Sequence, residues 1–203
     1  MFTGAAQRIR EQHVLLSELD SIAGDGDHGA TMLRVAEQLE TAIDPASQQS
    51  LRMLLKEAGW HVLNVDGGAS SAILGTFFGG LGDAEFGEEI DCEELARIFE
   101  AGLHAVSKQT KAEPGDKTMM DALVPAVGAI RFSASSGRAI DSALKEAEMA
   151  ARSGAESTTA LIAKHGRARF LGEKTRGSMD AGAFSVALLF AGFSAALTNG
   201  RNG

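Results

Sequence analysis

The stretch Leu51-Arg-Met-Leu-Leu-Lys-Glu-Ala-Gly-Trp-His-Val-Leu-Asn-Val-Asp-Gly-Gly-Ala-Ser-Ser-Ala-Ile-Leu-Gly-Thr-Phe-Phe-Gly-Gly-Leu81 decides the fold class. Its first half sets Leu51, Leu54, Leu55, Ala58 and Val62 three and four residues apart, on one face of a helix. Its second half is apolar nearly all round, with Ile73, Leu74, Phe77 and Phe78. A helix without a polar face is central in the packing. Asp66-Gly-Gly-Ala-Ser70 separates the halves with turn chemistry. Two helices, expected over 48–65 and 69–82, therefore form a hairpin.

The same period recurs outward in both directions. Met32, Val35, Ala36, Leu39 and Ile43 follow it, as do Leu95, Ile98, Phe99, Gly102 and Val106. Met120, Leu123, Val124, Val127 and Ile130 repeat it, and Ile140, Leu144, Ala147 and Ala151 open a longer segment. Alternating β-branched or aromatic runs are nearly missing, so strands are not expected. Further helices are expected near 3–19, 29–43, 91–108, 117–133, 138–165 and 181–198. Asp91 with Glu94 reads as a reciprocal N-terminal cap, and Pro125 should kink the sixth helix or sit near an irregular turn. The eighth, with Phe184, Val186, Leu188, Leu189, Phe190 and Phe193, joins the fourth as a central helix. The expectation is an all-α bundle of about eight antiparallel helices, one domain over residues 1–203.

Composition narrows the function. The chain has 203 residues, 19 Lys plus Arg against 27 Asp plus Glu, and a net charge of −8. Nucleic acids and anionic membranes need clustered cations, so neither is an expected partner. The single cysteine, Cys92, lies among Asp91, Glu93 and Glu94 and reads as inert. No signal peptide and no membrane-spanning run is visible, so a cytoplasmic protein is expected. Glycine accounts for 24 of the 203 residues, well above the usual ~7 %.

In an antiparallel bundle the loops after helices one, three, five and seven share one end. They hold most of the unusual residues. The first carries Asp20, Asp25 and Asp27, then His28. Three carboxylates so close repel unless a cation neutralises them, and all-oxygen ligands suit Mg²⁺ or Ca²⁺. The Glu that closes an EF-hand loop is missing, which leaves Mg²⁺ with substrate phosphates. A solvated acidic turn capping helix two is the bland alternative. The second loop puts Gly67, Gly68 and Ser70 at a helix start, where free N–H groups attract phosphate; a Ser70 N-cap would look the same. No Walker loop and no nucleophile elbow occurs. The third loop ends in Thr118, a possible cap, and Met119. The fourth carries Arg167, Arg169, Lys174 and Arg176 and ends in Asp180-Ala181-Gly182. Its length favours a lid. The residues together point to a Mg²⁺–nucleotide site whose chemistry is electrostatic.

Four ordered motifs carry a family resemblance: Leu19-Asp20 with Gly24-Asp-Gly-Asp-His-Gly29; Gly67-Gly-Ala-Ser70 with Gly75-Thr-Phe-Phe78; Lys111-Ala-Glu-Pro-Gly-Asp-Lys-Thr-Met119; and Lys164-His-Gly-Arg-Ala-Arg-Phe-Leu-Gly-Glu173 with Asp180-Ala-Gly182. The chain resembles the nucleotide-binding (L) subunits of dihydroxyacetone kinases, from about Leu15 to Leu189. The resemblance implies an up-and-down barrel of eight antiparallel helices with the nucleotide at one end. It implies two Mg²⁺ ions on Asp20, Asp25 and Asp27. It places ADP or ATP among His28, Gly29, Ala30, Thr31, Gly68, Ala69, Ser70, Thr118, Met119, Arg167, Asp180, Ala181 and Gly182. The sugar would be held by a separate K subunit, so no catalytic residue is expected here. In one branch of the family, ADP stays bound and is rephosphorylated by a phosphotransferase-system M subunit; in the other, ATP is exchanged. A chain without the sugar-binding part favours the first.

The sequence departs from the family pattern at Thr31, often Asn; at Ser71-Ala72, a Gly-Pro pair; and at Ala181 and Phe184, Pro and Thr. Arg169 replaces a small polar residue. These leave the donor and the ketose open, a triose or a tetrose. A fatty-acid-kinase nucleotide domain has a similar metal loop, but His28 and the Gly166–Glu173 segment favour the ketose kinase. A nucleotide-sensing module without catalysis is the remaining alternative.

Overall fold

The computed structural model describes residues 1–43, 50–87 and 89–199. It contains α1 (Phe2–Ser21), α2 (His28–Thr41), α3 (Leu51–Leu63), α4 (Gly68–Leu81), α5 (Cys92–Gln109), α6 (Met120–Ser135), α7 (Ile140–Ser157) and α8 (Ala181–Asn199). Two 3₁₀ segments, Thr158–Ala160 and Ala168–Thr175, lie between α7 and α8. No strand occurs among the described residues. Each helix packs on its successor and α8 returns to α1, which closes an up-and-down barrel. The expected start of helix three at 48 lies outside the described residues.

The interior is filled by a chain of aromatic rings. Phe2 of α1 meets Phe78 of α4, Phe78 meets Phe77, and Phe77 meets Phe99 of α5. Phe99 in turn touches Phe190 and Phe193 of α8. Most of these contacts are edge-to-face, the arrangement the ring quadrupole favours. The two all-apolar helices thus both face the core, as expected of central helices, and Phe99 of α5 links them.

Many of the glycines are packing residues rather than ligand residues. A Cβ at Gly59 of α3 would strike the backbone of Gly79 and Gly75 in α4, and one at Gly192 of α8 would strike Ala5 and Gly4 of α1. Gly80 of α4 faces Gly102 of α5 in the same way. Gly154 of α7 lies against the Asp121 carbonyl of α6. Pro125, four residues on, has no N–H to occupy that oxygen. The proline is therefore accommodated inside α6, which runs unbroken from Met120 to Ser135.

Several boundaries move for physical reasons. Asp20 lies in the last turn of α1, not in the loop. Ser70 is inside α4, which begins at Gly68 with Gly67 as its cap residue. The sixth helix begins at Met120, not 117, and Thr118 is not its cap residue. The seventh stops at Ser157, not near 165. There the Thr158 hydroxyl donates back to Ala155 O, and the Thr158 carbonyl is taken by Leu161 N and the Lys117 ammonium. Side-chain bonds of this kind compete with the helical ladder. At α5 the expected reciprocal cap is present: Glu94 N donates to Asp91 at 2.7 Å and Asp91 N to Glu94 at 3.3 Å. Burial and the flanking acids raise the Cys92 thiol pKa, in keeping with an inert residue.

A Gly59→Val protein should be destabilised by about 1–3 kcal/mol, the usual cost of overpacking. Thermal unfolding followed by circular dichroism measures it; an unchanged midpoint would contradict the close α3–α4 approach.

Candidate functional site

One end of the barrel opens into a cavity of about 730 Å³. Its walls come from the end of α1, the start of α2, the Asp66–Ser70 turn, the end of α5, the start of α6 and the start of α8. This shared lining shows that successive helices reverse direction, so the odd-numbered loops do gather at one end.

Asp20, Asp25 and Asp27 bring one carboxylate oxygen each to within 4.8 Å of one another. Asp20 is half-buried and anchors the turn. Its carbonyl accepts Gly24 N at 2.6 Å, and its carboxylate accepts Gly26 N at 2.8 Å. Gly26 has φ 78°, a conformation that glycine adopts without strain. A Cβ at Gly24 would lie 2.8 Å from the Asp20 carboxyl carbon, so a side chain there would displace the ligand group. Oxygen-only donors on a turn shaped around them fit Mg²⁺ or Ca²⁺. The lid residue Arg167 pairs with Asp25 and holds its carboxyl below the usual range.

His28 is 6 % exposed and ties three helices together. Its Nε2 lies 2.6 Å from Ser185 Oγ of α8, and its Nδ1 lies 3.3 Å from Ser70 Oγ of α4. Burial lowers its pKa, against the pull of Asp20 and Asp27. Gly29 packs against His13 and Ser17 of α1. Thr31 is buried with its methyl beneath Gly67 and accepts a bond from Arg34, which also donates to Asp66 O at 2.7 Å. Gly29, Ala30 and Thr31 do not line the cavity, whereas His28, Gly68, Ala69, Ser70, Thr118, Met119, Arg167, Asp180, Ala181 and Gly182 do.

The third and fourth loops are fastened to each other. The Asp121 carboxylate accepts Gly115 N at 2.6 Å and Thr118 N at 2.7 Å. Asp116 accepts from Lys164 at 2.7 Å, contacts His165 at 3.0 Å, and takes Glu113 N at 2.9 Å. These partners, Lys164 foremost, bring its pKa down to about 2. The lid is closed at its base by Ala163 N to Thr175 Oγ1, 3.0 Å, and by Gly177 N to Thr159 O, 2.8 Å. Asp180 caps α8 through Ala183 N at 2.7 Å, while its own N–H donates to Thr158 Oγ1 at 2.9 Å. Burial drives the Asp180 pKa up to about 6, more than its cap bond and Lys117 bring it down.

Sequence reasoning missed Gln109, Thr110, Lys117 and Ser178 on the cavity wall, and Ser185 behind His28. Ser185 gave a faint signal as a lone polar residue inside an apolar helix. Gln109 and Thr110 gave none.

The model of the DAK2 domain family matches residues 22–195. The chain belongs to this family. Among curated relatives, the ADP-binding subunit DhaL of PEP-dependent dihydroxyacetone kinase 1 from Listeria innocua is 37% identical over 184 residues, 91% of this chain and 87% of that protein. The ADP-binding subunit DhaL of the Escherichia coli PEP-dependent dihydroxyacetone kinase is 38% identical over 172 residues, 84% of this chain and 82% of that one. The crystal structure of the C. freundii dihydroxyacetone kinase in complex with AMP-PNP and Mg²⁺ superposes with a TM-score of 0.72 at 25% identity. It covers 96% of this DAK2 domain, which spans a third (33%) of the crystallised chain. No helix among the described residues is long and apolar enough to cross a membrane.

Asp180 yields a pH signature. Its folded pKa of about 6 lies above the ordinary 3.8, so the folded state binds the extra proton between these values. The wild type should therefore lose stability relative to Asp180→Asn as pH rises from about 4 to about 6. Asparagine caps as well as aspartate, so the helix start is kept. Denaturant unfolding of both proteins at several pH values checks it; parallel curves would show that the carboxyl is not desolvated.

Proposed function

We propose that this chain is the nucleotide-binding subunit of a dihydroxyacetone kinase, carrying an adenine nucleotide with two Mg²⁺ ions on Asp20, Asp25 and Asp27. It would work with a separate K subunit that holds the ketose. The observation that carries the reading is the three-carboxylate cluster at the mouth of a cavity ringed by helix starts, in a chain matched over most of its length by ADP-binding subunits.

The division of labour follows from the residues. Asp20, Asp25 and Asp27 would hold Mg²⁺, which would supply positive charge against the phosphates. The first turns of α4 and α8 offer N–H groups at Gly68, Ala69, Ala181 and Gly182, the natural hold for phosphate oxygens, whereas Ser70 N is taken by Gly67 O. Thr118 and Met119 close the wall at the start of α6. Arg167 would leave Asp25 for the phosphates when a metal takes that carboxylate, since guanidinium binds phosphate through paired N–H groups. His28 is held between Ser185 and Ser70 and would orient α2 beneath the nucleotide. No side chain here is needed as a nucleophile, because the transferring group can be positioned and stabilised by charge alone.

The PEP-dependent, ADP-binding relatives favour the branch in which ADP stays bound and a phosphotransferase-system M subunit rephosphorylates it. They also favour the ketose kinase over a fatty-acid-kinase partner or a purely sensing module. Work in the cytoplasm is part of the same proposal.

Denaturing the purified protein and analysing released nucleotide and metal tests this reading. Near-stoichiometric ADP with magnesium is expected, and phosphoryl transfer to dihydroxyacetone on adding K and M subunits; a protein that binds no Mg²⁺–nucleotide refutes it. Asp25→Asn should abolish Mg²⁺-dependent ADP binding with helical content retained, and unchanged affinity by calorimetry would remove the metal assignment. Arg167→Ala should weaken nucleotide binding or transfer several-fold, through loss of a charge-assisted hydrogen bond. If neither affinity nor transfer rate moves, the basic lid is only a surface loop.

A further inference from the structure

Lys117 combines three unusual properties. It is the one non-glycine residue with positive φ, 61°, among the described residues. Its side chain is 5 % exposed although it carries a charge. It also lines the cavity. A left-handed lysine persists only where the surroundings over-determine it. Here the Asp121 carboxylate grips the backbone on both sides, at Gly115 N and Thr118 N.

The ammonium donates to the carbonyls of Thr158, at 2.7 Å, and Ser178. These two residues bracket the lid. Thr158 follows α7, and Ser178 stands two residues before Asp180, which caps α8. The Thr158 hydroxyl oxygen accepts Asp180 N as well. One cation therefore joins the loop before α6, the end of α7 and the approach to α8. The buried Thr158 carbonyl and the half-buried Ser178 carbonyl share one donor group, and both would lose a strong partner if it were removed. The charged groups facing the ammonium are Asp180 and Asp121, which support its protonated form against burial.

We propose that Lys117 is a positioning residue for the nucleotide site. Its ammonium pins both feet of the lid and so places Arg167 and the first amides of α8 against the cavity. The role rests on the nucleotide-binding reading above.

Lys117→Gly tests it, because glycine accepts the left-handed backbone while the four-carbon ammonium arm is deleted. The Kd for Mg²⁺–ADP by calorimetry should rise at least tenfold, and protease cleavage within residues 159–177 should quicken. Added n-butylammonium chloride should restore affinity towards the wild type, whereas tetramethylammonium chloride at equal ionic strength should not. An affinity within twofold of wild type overturns the proposal, and so does a loss that n-butylammonium leaves uncorrected. If the glycine variant does not fold, Lys117→Met, which keeps the buried stem, must show the same tenfold loss. A wild type that binds no Mg²⁺–ADP would instead overturn the nucleotide reading and this role with it.

Discussion

Alternating chain direction puts the first turns of α2, α4, α6 and α8 at one end of the barrel, and the site depends on that constraint. Antiparallel neighbours largely cancel one another's dipoles at a distance. The unpaired N–H groups of a first turn act locally, within hydrogen-bond reach, so they survive the cancellation. The turns that feed these helices can carry glycine and aspartate because they lie outside the packed core. The aromatic chain from Phe2 to Phe193 holds the far larger apolar interior together, leaving this end free to collect groups that would be unfavourable elsewhere.

Charge at that end is arranged in opposed pairs. Asp20, Asp25 and Asp27 crowd together, and Arg167 on the lid answers one of them. Asp180 is desolvated near Lys117, and Asp116 is drawn between Lys164 and His165. Each pair links different segments of the chain, so the electrostatics also serve as fasteners. A desolvated Asp180 and a left-handed Lys117 are both unfavourable locally. Such local violations concentrate at functional sites, where the surrounding structure offsets them.

Glycine content shows how one composition signal divides in three dimensions. Gly24, Gly26, Gly67 and Gly68 shape the site turns. Gly59, Gly80, Gly154 and Gly192 instead let helices touch backbone to backbone. Both uses raise the count in the same way, and only the second requires knowing which helices are neighbours. Gly29 and Thr31 illustrate the same ambiguity at closer range. They sit within the motif that carries Asp27 and His28, yet one packs on α1 and the other lies under Gly67.

The sequence by itself determined the all-α class, the approximate helix ranges, the reciprocal cap at Asp91 and the three-carboxylate cluster. Those are local: period, turn chemistry and short spacing express themselves within a few residues. The end of α7 at Ser157, the bracing of His28 by Ser185 and the double anchoring of the lid on Lys117 were decided only by tertiary structure. The bracing of His28 and the anchoring of the lid rest on partners 41 or more residues away, and at the end of α7 the local bonds of Thr158 are completed by Lys117, 41 residues away. A hydrogen bond between distant segments leaves no trace in local periodicity, because the chain must close around the core before donor and acceptor can meet.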